Sequence, residues 1–234
     1  MTLSEPTIHL KKIRSFTRRQ GRLTPGQQFA LDTHWDKYCL DPQAEYNLAE
    51  VFGRTAPLIV EIGFGNGDSL AAMAAANPDT DYLGIEVHRP GVGHLLMLLE
   101  NQGLKNVRVY CHDAVEIFEH KIPDNSLAGV HLFFPDPWPK KKHHKRRIIY
   151  PAFVRLLVKK LSPGGYFHAA TDWQDYAEAM LSVLSETAGL TNASASKAYC
   201  ERPDYRPLTK FEQRGLRLGH GVWDLVFNKI EKRV

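Results

Sequence analysis

The segment Leu58-Ile59-Val60-Glu61-Ile62-Gly63-Phe64-Gly65-Asn66-Gly67-Asp68, running into an alanine-rich stretch that ends at Ala76, decides the fold. Leu58–Ile62 reads as a short apolar strand. Glycines at alternate positions then turn the chain and let backbone approach a ligand closely at the start of the next helix, Asp68–Ala76. The same strand-then-helix unit recurs downstream. Strands are expected at Asp81–Val87, Val107–Cys111, Leu127–Phe134 and Tyr166–Ala170. Helices are expected at Gly91–Asn101, Ala114–Phe118, Ile149–Leu161 and Trp173–Ala188. Ser162-Pro163-Gly164-Gly165 is expected to stop the third of these helices, because neither proline nor glycine continues one. The tail, including Gly221–Ile230, reads as β-rich. Such alternation predicts an α/β fold: a mostly parallel sheet with helices on both faces. Ligands of such sheets sit outside the carboxyl ends of the strands.

Those ends carry acids and glycines: Glu61 with Gly63, Gly65 and Gly67, then Glu86, Asp113, Asp136 and Asp172. Glu86 follows the last glycine at the distance where an acid takes both hydroxyls of a ribose. Asp113 is placed to accept from an adenine amino group. No Lys or Arg lies between Leu58 and Gly84, while Glu61 and Asp68 flank the turn. Acids beside a pyrophosphate would repel it, which argues against a nicotinamide dinucleotide. They would attract a cofactor with a cationic amino-acid end, S-adenosylmethionine.

The fourth strand leads into Phe133-Phe134-Pro135-Asp136-Pro137-Trp138-Pro139 and then Lys140-Lys141-Lys142-His143-His144-Lys145-Arg146-Arg147. Phe134, Asp136 and Trp138 each precede a proline, which predicts an extended, stiff loop holding Asp136. A fixed acid, a flat aromatic and a cationic run together suit a polyanion with a base to be held. Trp138 either stacks on that base or covers the rim of the core. Residues 10–22 form a second basic segment. The two segments contain twelve of the 30 Lys and Arg, so the remaining 18 face 26 Asp and Glu. An acidic body with its positive charge packed into two short stretches points to nucleic acid.

Three scattered cysteines, Cys39, Cys111 and Cys200, indicate neither a disulfide framework nor a zinc site, and the cytoplasm is the simplest compartment. No metal is expected. No apolar stretch approaches the ~20 residues needed to span a bilayer. Residues 6–31, Arg-rich and without an acid, have a rival reading as a transit peptide. Against it, Thr24-Pro25-Gly26-Gln27-Gln28 reads as a turn opening a helix through Trp35. Residues 1–50 are therefore expected to form an RNA-contacting basic arm and helix, and 51–234 a catalytic domain.

The glycine turn, the block from Phe134 to Arg147, Asp172 and Arg206-Pro207-Leu208-Thr209-Lys210-Phe211-Glu212-Gln213-Arg214-Gly215 resemble the tRNA (guanine-N7)-methyltransferases of the TrmB family, proteobacterial type. The likeness extends to Arg14-Ser15-Phe16 and Arg18-Arg19-Gln20-Gly21-Arg22-Leu23-Thr24, and so covers nearly the whole chain. Pro139 stands where some members carry histidine. The glycine turn is shared by many methyltransferases; the Pro-Asp-Pro-Trp block followed by Thr-Lys-Phe-Glu is specific. The resemblance implies a Rossmann-like class I methyltransferase acting on N7 of a variable-loop guanine of tRNA, guanine 46. It implies that Glu61, Gly63, Gly65, Gly67, Glu86, Asp113 and Asp136 line the S-adenosylmethionine site. It further implies that Lys140, Asp172, Thr209, Lys210, Phe211 and Glu212 contact the substrate, and Lys142, His143, His144, Lys145, Arg146 and Arg147 the RNA. On their own residues, His143 and His144 read as surface side chains, Phe211 as a packing anchor, and Asp172 equally as a cap for the next helix. Asp136 is the expected catalytic residue. A methyltransferase acting on an exocyclic amino group, and a non-catalytic RNA-binding module, are the rival readings.

Overall fold

The computed structural model describes residues 14–16, 21–209, 212, 213, 217, 219 and 221–230. Among these residues, seven strands form one sheet: β1 (Leu58–Ile62), β2 (Asp81–Ile85), β3 (Val107–Tyr110), β4 (Leu127–Phe133), β5 (Leu161–Thr171), β6 (Leu190–Asn192) and β7 (Trp223–Lys229). Their order is β3-β2-β1-β4-β5-β7-β6. The first five run parallel, and β7 is antiparallel to both its neighbours. The chain steps outward from β1 to β3, then returns to place β4 on the other side of β1. That reversal opens a crevice at the carboxyl ends of β1 and β4, the position where ligands of open α/β sheets bind.

Among the described residues, seven α-helices accompany the sheet: α1 (Pro25–Tyr38), α2 (Leu48–Phe52), α3 (Asp68–Ala76), α4 (Arg89–Gln102), α5 (Ala114–His120), α6 (Pro151–Lys160) and α7 (Gln174–Glu186). Side chains alternate across a strand, and β2 divides accordingly. Tyr82 joins a core with α1, α3 and α4, while Leu83 and Ile85 join the core under α5, α6 and α7. Leu95, Leu96 and Leu99 of α4 are fully buried, each contributing ~1.5–3 kcal/mol of transfer free energy. The Thr24 side chain and Gln27 make a reciprocal cap at the start of α1, whose Ala30, Leu31 and Tyr38 are buried against the body. Thus the helix assigned by sequence to the arm packs within the same core as α4.

One element differs from expectation. β5 starts at Leu161, directly after α6, so Ser162-Pro163-Gly164-Gly165 lies within the strand instead of in a loop before it. Leu161 pairs with Leu127, and the register shifts between Leu127 and Gly129 to absorb the irregular stretch. A Cβ on Gly165 would sit 2.8 Å from the Leu127 carbonyl oxygen, so backbone crowding fixes glycine there.

Candidate active site

Two cavities meet at the crevice, and Gly63, Phe133 and Phe134 line both. The smaller, about 220 Å³, is walled by Ile62, Ile85, Glu86, His112, Ala114 and Asp136 among others. The larger, about 760 Å³, extends from Glu61 and the glycine turn to Pro207, Leu208 and Thr209.

The sheet register sets Glu61 between Gly84 and His131. Its side chain is buried, and Oε2 has no hydrogen-bond partner among the described residues. Burial, and then the nearby Glu86, push its carboxyl up to about 8. A buried carboxyl left uncompensated calls for a cation. Glu86 differs: Oε2 accepts from the Gly65 N–H at 2.9 Å, and Oε1 from the N–H groups of Val87 and His88 at 2.6 and 2.9 Å. Backbone thus aims this carboxylate into the smaller cavity. The three glycines do two kinds of work. Gly63 and Gly65 adopt φ of 71° and 59°, and a Cβ on either would meet nothing within 4 Å. Gly67 also has positive φ, but a Cβ there would lie 2.8 Å from Leu95, so its role is to close α3 onto α4.

Neither cavity is lined by Lys or Arg among the described residues. A carboxylate set for two ribose hydroxyls, an uncompensated buried acid at the other end and open glycine backbone between them fit S-adenosylmethionine. Asp113 occupies the expected strand end, but its Oδ1 caps α5 by accepting from the Val115 N–H at 2.9 Å. Of the residues flanking Asp113, His112 and Ala114 line the smaller cavity.

Asp136 is exposed on the wall of the smaller cavity. The loop carrying it is not uniformly extended, as the prolines predicted. Phe134 and Trp138 have φ of 52° and 46°, in the left-handed region. Such a conformation costs about 1–3 kcal/mol per residue and persists where surroundings impose it. The surroundings are identifiable. The Phe134 N–H donates to Ala170 at 2.7 Å, holding it to the sheet. Trp138 donates through Nε1 to the Ser15 carbonyl at 3.2 Å, carries the Arg146 guanidinium 4.9 Å over its ring, and meets His143 edge-on. Trp138 therefore joins the Asp136 loop, the basic segment and the arm.

The basic run folds as a 3₁₀ segment, Lys141–Arg146. Lys140, Lys142 and Lys145 are exposed, while His143, His144 and Arg146 are half-buried. Arg147 departs from the RNA-facing role. It is buried, donates through Nε to the Pro137 carbonyl at 2.9 Å, pairs with Asp175 and lies 4.7 Å over the Tyr176 ring. It clamps the Asp136 loop to α7. Asp172 is half-buried just beyond β5. The capping position of α7 falls on Trp173, whose N–H is taken by Thr171 Oγ1, so Asp172 does not cap that helix. Thr209 lines the larger cavity. Glu212 is buried with both carboxylate oxygens on Arg206, which does not suit a direct substrate contact. Lys210 and Phe211 lie outside the described residues, as does most of the basic arm.

Sequence reasoning missed Ser15 and Phe16, which line the smaller cavity beside Glu86 and Asp136. An aromatic residue within a basic arm was the available signal. It also missed Arg206, whose burial no local pattern announces.

The sheet order and this crevice define a class I S-adenosylmethionine-dependent methyltransferase. Residues 55–225 match the family model described as "Putative methyltransferase". Similar folds include the 16S rRNA methyltransferase KamB (TM-score 0.58, 16% identity, 81% of this chain and 96% of that one). A second is the 16S rRNA (adenine(1408)-N(1))-methyltransferase from Catenulisporales acidiphilia, solved with its cosubstrate (TM-score 0.55, 16% identity, 83% and 94%). The chain is 60% identical to the tRNA (guanine-N(7)-)-methyltransferase of Alcanivorax borkumensis over 94% of this chain and 92% of that one. It is 57% identical to the enzyme of the same name from Shewanella amazonensis, over 97% and 96%. The chain belongs to the tRNA (guanine-N(7)-)-methyltransferase family.

Proposed function

We propose that this chain transfers the methyl group of S-adenosylmethionine to N7 of the variable-loop guanine of tRNA, guanine 46, in the cytoplasm. The observation that carries the reading is the junction at Gly63, Phe133 and Phe134, with Asp136 on one cavity wall and Thr209 on the other. Bound S-adenosylmethionine supplies an electrophilic methyl group on a sulfonium. Glu86 would hold its ribose and Glu61 its ammonium, which leaves the junction for the reacting atoms.

N7 of guanine already presents an in-plane lone pair, so no residue has to remove a proton before attack. The task of the chain is orientation and exclusion of water, and orientation alone supplies ~7–11 kcal/mol in favourable cases. Methylation leaves positive charge on the ring, and a carboxylate beside it stabilises that charge as it develops. Asp136 is assigned this role, together with positioning the base. Asp172 is assigned acceptance from the N–H donors of guanine. The exposed Lys140, Lys142 and Lys145 take phosphates.

The test is incubation of the purified protein with unfractionated tRNA and methyl-labelled S-adenosylmethionine, followed by digestion and nucleoside separation. Label is expected in 7-methylguanosine and lost when guanine 46 is replaced. Label in an N2- or N6-methylated nucleoside would support an exocyclic amino-group reaction instead. Cofactor binding without label in RNA would favour the non-catalytic reading.

A further inference from the structure

Arg206 is the largest fully buried side chain among the described residues. Its guanidinium is used from both edges. Nε and Nη2 donate to the two oxygens of Asp224 at 2.7 and 2.9 Å, while Nη1 and Nη2 donate to the two oxygens of Glu212 at 2.7 Å each. Its flat face lies 5.8 and 5.6 Å from the ring centres of Phe133 and Phe134, the residues shared by the two cavities. On the far side, Asp224 bonds His168 Nε2 at 2.7 Å, and Tyr205 bonds His168 Nδ1 at 2.9 Å.

Such a cluster is a poor source of stability, because apolar residues of similar volume commonly replace buried ion pairs without loss. What a doubly bidentate arginine does supply is fixed geometry: the planar fork sets both carboxylates in one plane. The geometry it sets is that of the substrate wall. Pro207, Leu208 and Thr209 follow directly and line the larger cavity. Glu212, held by Arg206, returns its own N–H to Thr209 Oγ1 at 3.1 Å, and Gln213 donates to the Thr209 carbonyl at 2.9 Å. With one lone pair of Oγ1 so occupied, the Thr209 hydroxyl proton is left to be donated, and guanine O6, beside N7, is an acceptor of matching type.

We propose that Arg206 and Glu212 are positioning residues for methyl transfer: Glu212 acts through Arg206 and Thr209 and does not itself touch the guanine. This rests on the guanine-N7 reading above. Failure of the wild type to form 7-methylguanosine would remove that reading; the outcomes below, measured against an active wild type, bear on Arg206 and Glu212 alone.

The experiment compares Arg206→Lys, Glu212→Ala, Glu212→Gln and the double variant R206K/E212A in single-turnover methylation at saturating cofactor and tRNA. Both dissociation constants are measured separately. Lysine keeps the charge but not the fork, and glutamine keeps an acceptor but not the charge. Arg206→Lys and Glu212→Ala are each expected to slow methyl transfer by about tenfold or more, as displaced positioning groups do, with both dissociation constants within about twofold. The double variant is expected to be no slower than the worse single one, because the two residues act as a unit. Glu212→Gln is expected to fall between wild type and Glu212→Ala, because one amide oxygen still accepts from the Arg206 fork while the amide NH2 faces its other donor. An unaltered rate in Arg206→Lys, or multiplied losses in the double variant, would overturn the proposal. So would a Glu212→Gln variant as slow as Glu212→Ala with weakened tRNA binding. If Arg206→Lys fails to fold by thermal melting, the two Glu212 variants still decide.

Discussion

The two cavities are held open by different means. On the glycine-turn side the framework is backbone: Gly63 and Gly65 face outward, and three backbone N–H groups orient Glu86. On the Asp136 and Thr209 side the framework is side-chain charge, with Arg147 clamping the Asp136 loop and Arg206 the Thr209 segment. A lost side chain therefore means different things on the two sides. Near the glycine turn, Oε2 of Glu61 has no partner among the described residues, and Glu86 is held by backbone alone. On the other side, lost activity does not identify a contact, since Arg147, Arg206 and Glu212 hold the wall from buried positions.

That contrast can be broken or sharpened by experiment. Asp136 is exposed and lines a cavity, so Asp136→Ala should lower the methylation rate by about 10²–10³-fold while leaving the melting temperature unchanged. A variant with near wild-type turnover would make the loop purely structural.

Glu61 gives the next largest effect, on stability. Its carboxyl is raised from an ordinary 4.5 to about 8 in the folded chain, so the fold binds that proton more tightly than the unfolded chain. The corresponding stability is complete below the ordinary value and is lost as pH rises through about 8. Glu61→Gln carries no such proton. Relative to wild type, its stability should gain on the order of 5 kcal/mol between pH 4.5 and values above 8, while its cofactor affinity falls. Denaturant titrations at the two ends of that window check the sign. A constant difference would show that Glu61 ionises normally.

Glu86→Ala removes charge-assisted bonds to a ribose and should cost about 1.5–3 kcal/mol of S-adenosylmethionine affinity by calorimetry. Unchanged affinity would remove the ribose assignment. Neutralising Lys142, Lys145 and Arg146 together should flatten the salt dependence of tRNA binding by about two to three units, with cofactor affinity unaffected. Adding Arg147→Met should leave that slope where it was and lower the melting temperature, because Arg147 is buried on Pro137 and Asp175. A further drop in slope would return Arg147 to the phosphate-binding set. The smallest effect is expected from Phe16→Ala. It should weaken cofactor binding by about fivefold, since the ring forms part of the smaller cavity's wall.

The backbone-built side was the legible one. Leu58–Ile62 and Asp68–Ala76 occur with the boundaries read from apolar runs and turn residues, because both signals are local. The acids at the strand ends could be placed from strand alternation alone. What could not be read depends on partners remote in the chain. Six cations in eight positions give no sign that Arg147 alone turns inward; its partner Asp175 comes 28 residues later. Trp138 and Ser15 are separated by 123 residues. Positive φ at Phe134 and Trp138 opposes the local preference of residues before proline, and local rules could not anticipate a conformation imposed by the sheet and the arm.

The position of β7 bears on how the molecule comes into being. Residues 223–229 do not extend an edge; they are inserted between β5 and β6, and Asp224 is the buried anchor of Arg206. Leu225 and Phe227 of this strand are fully buried in the core under α5, α6 and α7. β6, made earlier in the chain, pairs with the sheet through β7. During synthesis, the open edge of β5 and the anchoring of Arg206 on Asp224 therefore wait for the same seven residues. Core closure and the Thr209 wall are completed together.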